Sequence, residues 1–139
     1  MFKRILVPLD GSQLAETALP HAEALAQKSQ GRILLIRISS KPDDKVDPVS
    51  GLQPRQLYLE DLAKNLRERG LEVECRIEQG DPASKIIELA ESDAIDLVVM
   101  SSHGRTGLAR WVYGSVAEKV LHNARCPLML VRNQMEVTA

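Results

Sequence analysis

Aromatic residues are nearly missing from this chain of 139 residues. Phe2, Tyr58, Trp111 and Tyr113 are the full set, so any core must be built from aliphatic side chains. Net charge is almost missing too, at −1. A general binder of nucleic acid or another polyanion needs a basic surface, so no nucleic-acid partner is expected and any positive charge that matters must be local. Cysteine is scarce. Cys75 and Cys126 stand far apart, without CxxC spacing or a His/Cys cluster, which argues against a metal site and for two small buried hydrophobes in a reducing compartment. No long apolar run occurs. The N-terminal "MFKRILVPLDGS" is basic at first, but Pro8 and Asp10 interrupt it. Neither a secretion signal nor a membrane span is expected, and the default location is the cytoplasm.

What is present is an alternation of two hydrophobic periods. "RILVPL" (4–9), "RILLIRI" (32–38), "LEVECRIE" (71–78), "IDLVVM" (95–100) and "PLMLVR" (127–132) read as strands. Between them run four helical patterns. The first carries Leu14, Ala15, Ala18, Leu19, Ala22, Leu25 and Ala26, with Pro20 expected to bend it and Gly31 to stop it. The second presents Leu59, Leu62, Ala63 and Leu66 and ends at Gly70. The third opens on Asp81 as N-cap and Pro82 as first helical residue, with Ala83, Ile86, Ile87 and Ala90 as its buried face. The fourth places Val116, Ala117, Val120, Leu121 and Ala124 on one side. Residues 39–54, with three prolines among acidic residues, read as a long loop, and 133–139 as a frayed tail.

The order β-α-β-α-β-α-β-α-β predicts a single α/β domain over 1–139, an open five-stranded parallel sheet, doubly wound and Rossmann-like. Strict alternation in 71–78 marks an edge strand, which gives strand order 3-2-1-4-5. Ligands of such sheets bind beyond the carboxyl ends of the strands where winding reverses, here between strands one and four. Two unusual loops meet there, "PLDGS" (8–12) and "MSSHGRTGLARWVYGSV" (100–116). Ser115 and Glu118 have capping-box spacing, so a helix should start at Ser115 with its first amides turned outward. Gly114 allows close approach to those amides, which makes a phosphate-sized anion site. Gly104 and Gly107 allow the preceding loop to wrap it, and Arg105 or Arg110 to add charge. The plain alternative is a capped helix after a flexible loop. Asp10 suits ribose hydroxyls or a metal-bound water, or a turn-forming role in "DGS". Pro8 must sit where the strand ladder stops.

These stretches together resemble the universal stress protein family, part of a nucleotide-binding α/β superfamily. The resemblance runs from Phe2 to Arg132 and rests on "ILVPLDGS", "GDPA" and "DLVVMSSHGRTGLARWVYGSVAEKVLHNARCPLMLV". ATP-binding members carry G-x2-G-x9-G-[ST]; the matching positions are Ser101, Gly104, Gly114 and Ser115, with serine in place of the first glycine. The resemblance implies an ATP-binding regulatory or stress-response module with a divalent cation, Mg²⁺ or Mn²⁺, and at most slow hydrolysis. It implies adenine held by backbone near Pro8, Leu9, Arg37 and Met100, ribose by Asp10, and phosphates by Gly104, Arg105, Gly114, Ser115, Val116 and Ala117. Arg37 departs from the small apolar residues usual at its position. The alternative is a nucleotide-independent dimeric protein acting through protein partners.

Catalysis has little support. GxxxxGK[ST], GxGxxG and GxSxG are all missing, and His103 has no nucleophile or orienting carboxylate beside it in sequence. His21 and His122 fall on helices as surface residues. Strand 127–132 is apolar on both faces at the predicted far edge, which predicts a homodimer through that strand unless helices and the tail cover it. Loop 39–54 leaves strand two beside the expected site, as a lid or as an inert acidic loop.

Overall fold

A computed structural model describes residues 2–40, 48–102 and 114–132. Five strands, β1 (Arg4–Leu9), β2 (Arg32–Ser39), β3 (Glu72–Gln79), β4 (Leu97–Ser101) and β5 (Leu128–Val131), form one sheet in the order β3-β2-β1-β4-β5. Every pairing is parallel. The helices are α1 (Gln13–Glu16), α2 (Leu19–Ser29), α3 (Pro54–Glu68), α4 (Pro82–Ser92) and α5 (Ser115–Asn123).

Period-two alternation along the strands sorts the aliphatic residues into two layers. Ile5, Val7, Leu9, Ile33, Leu35 and Val99 pack against Ala18, Ala22 and Ala26 of the α2 region and Leu59, Ala63 and Leu66 of α3. Leu6, Leu34, Ile36, Val98 and Met100 pack on the other face against Ala83, Ile86, Leu89 and Ala90 of α4 and Ala117 and Val120 of α5. The core needs no aromatic ring because alanines bring the helices close to a sheet of branched aliphatics.

The first helical pattern is broken rather than bent. Pro20 has no N–H to give to Glu16, and α1 ends at Glu16. The chain then restarts so that Pro20 falls in the first turn of α2, where an N–H has no helical acceptor. The stop of α2 is Gln30, in the left-handed region at φ 54°, rather than Gly31. In α4, Asp81 accepts from the Ser84 amide at 3.0 Å, as its N-cap position predicts. There Leu89 takes the buried place expected of Ile87, which is half-buried. In α5, Leu121 points outward, 45% exposed, because the helix lays Ala117 and Val120 on the sheet. Pro54, expected in the loop, is the first residue of α3.

Candidate functional site

The winding reverses between β1 and β4. Their ladder is short, pairing Ile5 with Leu97 and Leu6 with Val98, whereas β1 follows β2 as far as Leu9 opposite Arg37. Pro8, with no N–H, lies just past the last rung shared with β4. Beyond that rung a cleft of about 420 Å³ opens over the carboxyl ends of β1, β2 and β4. That volume falls among small-molecule sites, roughly 300–1,000 Å³.

Pro8, Leu9, Asp10, Arg37, Met100, Ser101, Gly114, Ser115, Val116 and Ala117 all line this one cleft. Of the other predicted site residues, Gly104, Arg105 and Gly107 lie outside the described residues, as do His103 and Arg110. Several lining residues were not expected, chief among them Arg55 of α3, Ser39 at the end of β2, and Pro82 and Ile86 of α4. Arg55 and Pro82 follow or form helix starts that abut the sheet's carboxyl edge. Their helix-start chemistry was the available signal, but only the fold says which edge they meet.

Each flank of the cleft has a local cause. Asp10 Oδ1 accepts from the Ser12 amide at 2.9 Å and from Ser12 Oγ at 2.5 Å, and Ser12 Oγ in turn accepts from the Ala15 amide at 3.2 Å. Asp10 therefore does form the turn that starts α1, and its carboxylate also lines the cleft. On the β4 side, the Gly114 amide donates to the Ser102 carbonyl at 2.7 Å. One hydrogen bond thus ties the end of β4 to the start of α5. Helix α5 begins at Ser115 as predicted, but the capping box does not form. Gly114 is the N-cap, no side chain caps it, and Ser115 is already helical. A glycine cap leaves the helix start, which lines the cleft, without a side-chain partner for its first-turn amides.

The remaining flank is cationic. The Arg37 guanidinium lies over the Tyr58 ring, 5.2 Å from its centroid. Tyr58 donates to Glu16 Oε2 at 2.7 Å. Burial first, and then the hydrogen bond to Glu16, hold the Tyr58 phenol well above its ordinary pKa, so it stays a proton donor at any physiological pH.

Both cysteines are free and half-buried, more open than the fully buried places expected of them. Burial, and then the Glu60 carboxylate, push the Cys75 thiol up to about 12. No group of three His, Cys, Asp or Glu side chains that could hold a metal ion occurs among the described residues. His21 and His122 are exposed, as predicted. No helix among the described residues is long and apolar enough to cross a membrane.

The universal stress protein family profile matches residues 1–132. The chain belongs to that family. It is 32% identical to universal stress protein MJ0531 of Methanocaldococcus jannaschii, over 95% of this chain and 83% of that one. The solved structure of protein MJ0577, of the same organism, superposes with a TM-score of 0.75 at 29% identity, covering 98% of this chain and 99% of that one. A universal stress protein solved in complex with cAMP shares the fold at a TM-score of 0.72 and 22% identity, covering 94% of this chain and 98% of that one.

Proposed function

We propose that this universal stress protein is a nucleotide-binding regulatory module whose cleft takes ATP. The observation that carries the reading is the meeting of two segments distant in sequence. The side-chain-free start of α5 and the Asp10 turn of β1 line one cleft at the point where winding reverses. The triphosphate lies on the amides of Ser115, Val116 and Ala117, with Gly114 allowing close approach. Ribose hydroxyls meet Asp10. The adenine is held by the backbone near Pro8, Leu9, Arg37 and Met100. Ser101 substitutes for the glycine of the ATP-binding pattern. It is small, and 6% exposed, so the substitution leaves the cleft open. Gly104, Arg105 and Gly107 complete the phosphate end.

A divalent cation, Mg²⁺ or Mn²⁺, arrives with the triphosphate and is held mainly by phosphate oxygens and water. Asp10 is the one carboxylate lining the cleft among the described residues. None of the described lining residues is a histidine or glutamate that would orient an attacking water, so hydrolysis is slow or nil. The protein works in the cytoplasm as a homodimer through the 127–132 strand, without nucleic acid or membrane as partner, and makes Rossmann-like use of its crevice.

The test is direct. Protein purified without added nucleotide is denatured and its supernatant chromatographed, and the refolded or apo protein is titrated calorimetrically with ATP and Mg²⁺. ATP or AMP in the supernatant, or ATP binding at micromolar concentration, is expected; cAMP is the second nucleotide to titrate. Gly114→Val abolishes binding by filling the space above the amides, while its folding stability falls by no more than about 1 kcal/mol, the scale of an N-cap change. An empty preparation that also fails to bind favours the nucleotide-independent dimer. Normal binding by Gly114→Val puts the phosphate site elsewhere.

A further inference from the structure

We propose that Tyr58 is a positioning residue for the ribose end of the cleft. It stands behind the cleft wall rather than in it, holds the Asp10 turn from both ends, and so sets how well the site tells a ribonucleotide from its deoxy counterparts. This rests on the nucleotide reading above and deepens it to a selectivity for ribose hydroxyls.

The Asp10 turn joins β1 to α1, and α1 is only four residues long. A helix that short has no stability of its own, so its place depends on tertiary contacts. Inside the turn, Ser12 donates to Asp10 Oδ1 and accepts from the Ala15 amide. Those bonds fix the shape of the turn, not where it sits. Ala15 anchors the middle of the segment in the core, and two further contacts hold its ends. At the first end, the Gly11 backbone lies against the Arg37 guanidinium. A Cβ built on Gly11 would be 2.9 Å from one terminal nitrogen of Arg37 and 3.1 Å from the other. At the second end, Glu16 Oε2 accepts from the Tyr58 hydroxyl at 2.7 Å. The same Tyr58 carries the Arg37 guanidinium over its ring, 5.2 Å from the centroid.

Gly11, Arg37, Tyr58 and Glu16 thus close a ring of contacts around the turn. One side chain of α3 reaches both ends, through its hydroxyl at one and through Arg37 at the other. Asp10 is the neighbour of Gly11, and its carboxylate lines the cleft. A carboxylate tells a hydroxyl from a hydrogen only at bonding distance and angle, which requires placement to within about 0.5 Å. Without the Tyr58 hydroxyl the ring opens at Glu16, α1 is held less closely, and Asp10 loses that placement. The start of α5 lies across the cleft on the β4 side and does not share the ring. Loss of the hydroxyl therefore costs ribose selectivity rather than nucleotide binding as a whole.

The probes are ATP, 2′-deoxyATP and 3′-deoxyATP, each with Mg²⁺, titrated calorimetrically into the full chain and three variants. The wild-type chain is expected to bind ATP at least about tenfold more tightly than one of the deoxy probes, the scale of one hydrogen bond to a charged acceptor. In Tyr58→Phe that ratio falls below about threefold, because ATP weakens while the deoxy probe holds its affinity. Glu16→Gln keeps an oxygen for the Tyr58 hydroxyl to donate to, and keeps the ratio. Arg69→Met breaks the pair with Glu23 at the far end of α3, 2.8 Å in the wild type, and leaves the ratio unchanged. A wild-type ratio in Tyr58→Phe overturns the proposal, as does an equal loss of affinity for all three nucleotides. A ratio lost in Glu16→Gln, or lowered in Arg69→Met as far as in Tyr58→Phe, overturns it too. If the wild-type chain binds ATP and both deoxy probes equally, the positioning role fails and the nucleotide reading of the cleft stands. If no adenine nucleotide binds at all, both fall.

Discussion

Single residues in this chain do work that their chemical type alone does not announce. Gly31 reads as a helix stop, yet Gln30 takes the left-handed conformation and Gly31 serves a different need. A Cβ at Gly31 would lie 2.2 Å from the Phe2 carbonyl oxygen, and that oxygen also accepts from Ser29 Oγ at 2.6 Å. The atom in the way is backbone, so no rotamer relieves the clash. Gly31→Ala should destabilise the fold by about 2–3 kcal/mol, the upper range for overpacking a close contact. Urea denaturation checks this, and an unchanged midpoint would show that the N-terminal strand can shift aside. Gly11 is constrained twice over, by φ +89° and by the guanidinium beside it. An alanine there would displace Arg37, so the "DGS" turn and the cationic flank are one design problem.

Between elements, the edge of the sheet away from the cleft is pinned by charge. Arg76 of β3 pairs with the Asp93 carboxylate just after α4, and Arg4 of β1 donates through Nε to the Asp93 carbonyl at 2.8 Å. The hydrogen bond from Arg76 holds the Asp93 carboxyl below its usual 3.8. The sign follows from linkage. A carboxyl whose pKa is lower folded than unfolded stabilises the fold at pH above 3.8, and that contribution fades as pH falls from there through the lower folded value. Asp93→Asn should therefore melt at a lower temperature than wild type near neutral pH, with the difference narrowing below pH 4. Melting curves at several pH values read this out, and a difference that stays constant into acid would show that the ion pair contributes nothing. The helix starts were legible because their chemistry is local. Asp81-Pro82 fixed α4 unaided, since the cap and the proline act within one turn. The Ser115–Glu118 box failed because Gly114 takes the N-cap place and Ser115 is already helical, with the Glu118 amide donating to the Gly114 carbonyl; Gly114 is itself held by the Ser102 carbonyl, a contact between segments that no local spacing encodes.

For the whole molecule, strand order could be read because it depends on pattern alone. Strict alternation in residues 71–78 marked β3 as an edge, and the rest of the order followed from that one assignment. The cleft was legible for the same reason: Asp10 and Gly114 meet because the order of strands makes them meet. Arg55 and Pro82 were not legible, since they enter through the pitch of helices against the sheet edge. The far edge leaves a larger demand unmet. In β5, Leu128, Met129 and Leu130 remain half-buried, with Met129 turned to one layer and Leu128 and Leu130 to the other. An edge strand with apolar residues on both faces and backbone donors to one side is a template for a second copy. Two β5 strands brought together about a two-fold axis would pair antiparallel and bury all three residues further. The expected outcome is a dimer by light scattering at micromolar concentration. Met129→Lys should shift it to monomer, because the half-buried position tolerates a long amphipathic side chain in one copy but sets two ammonium groups near each other across the axis. A wild-type monomer at that concentration would sink the pairing. A Met129→Lys protein that stays dimeric would move the interface away from β5 while leaving the cleft untouched.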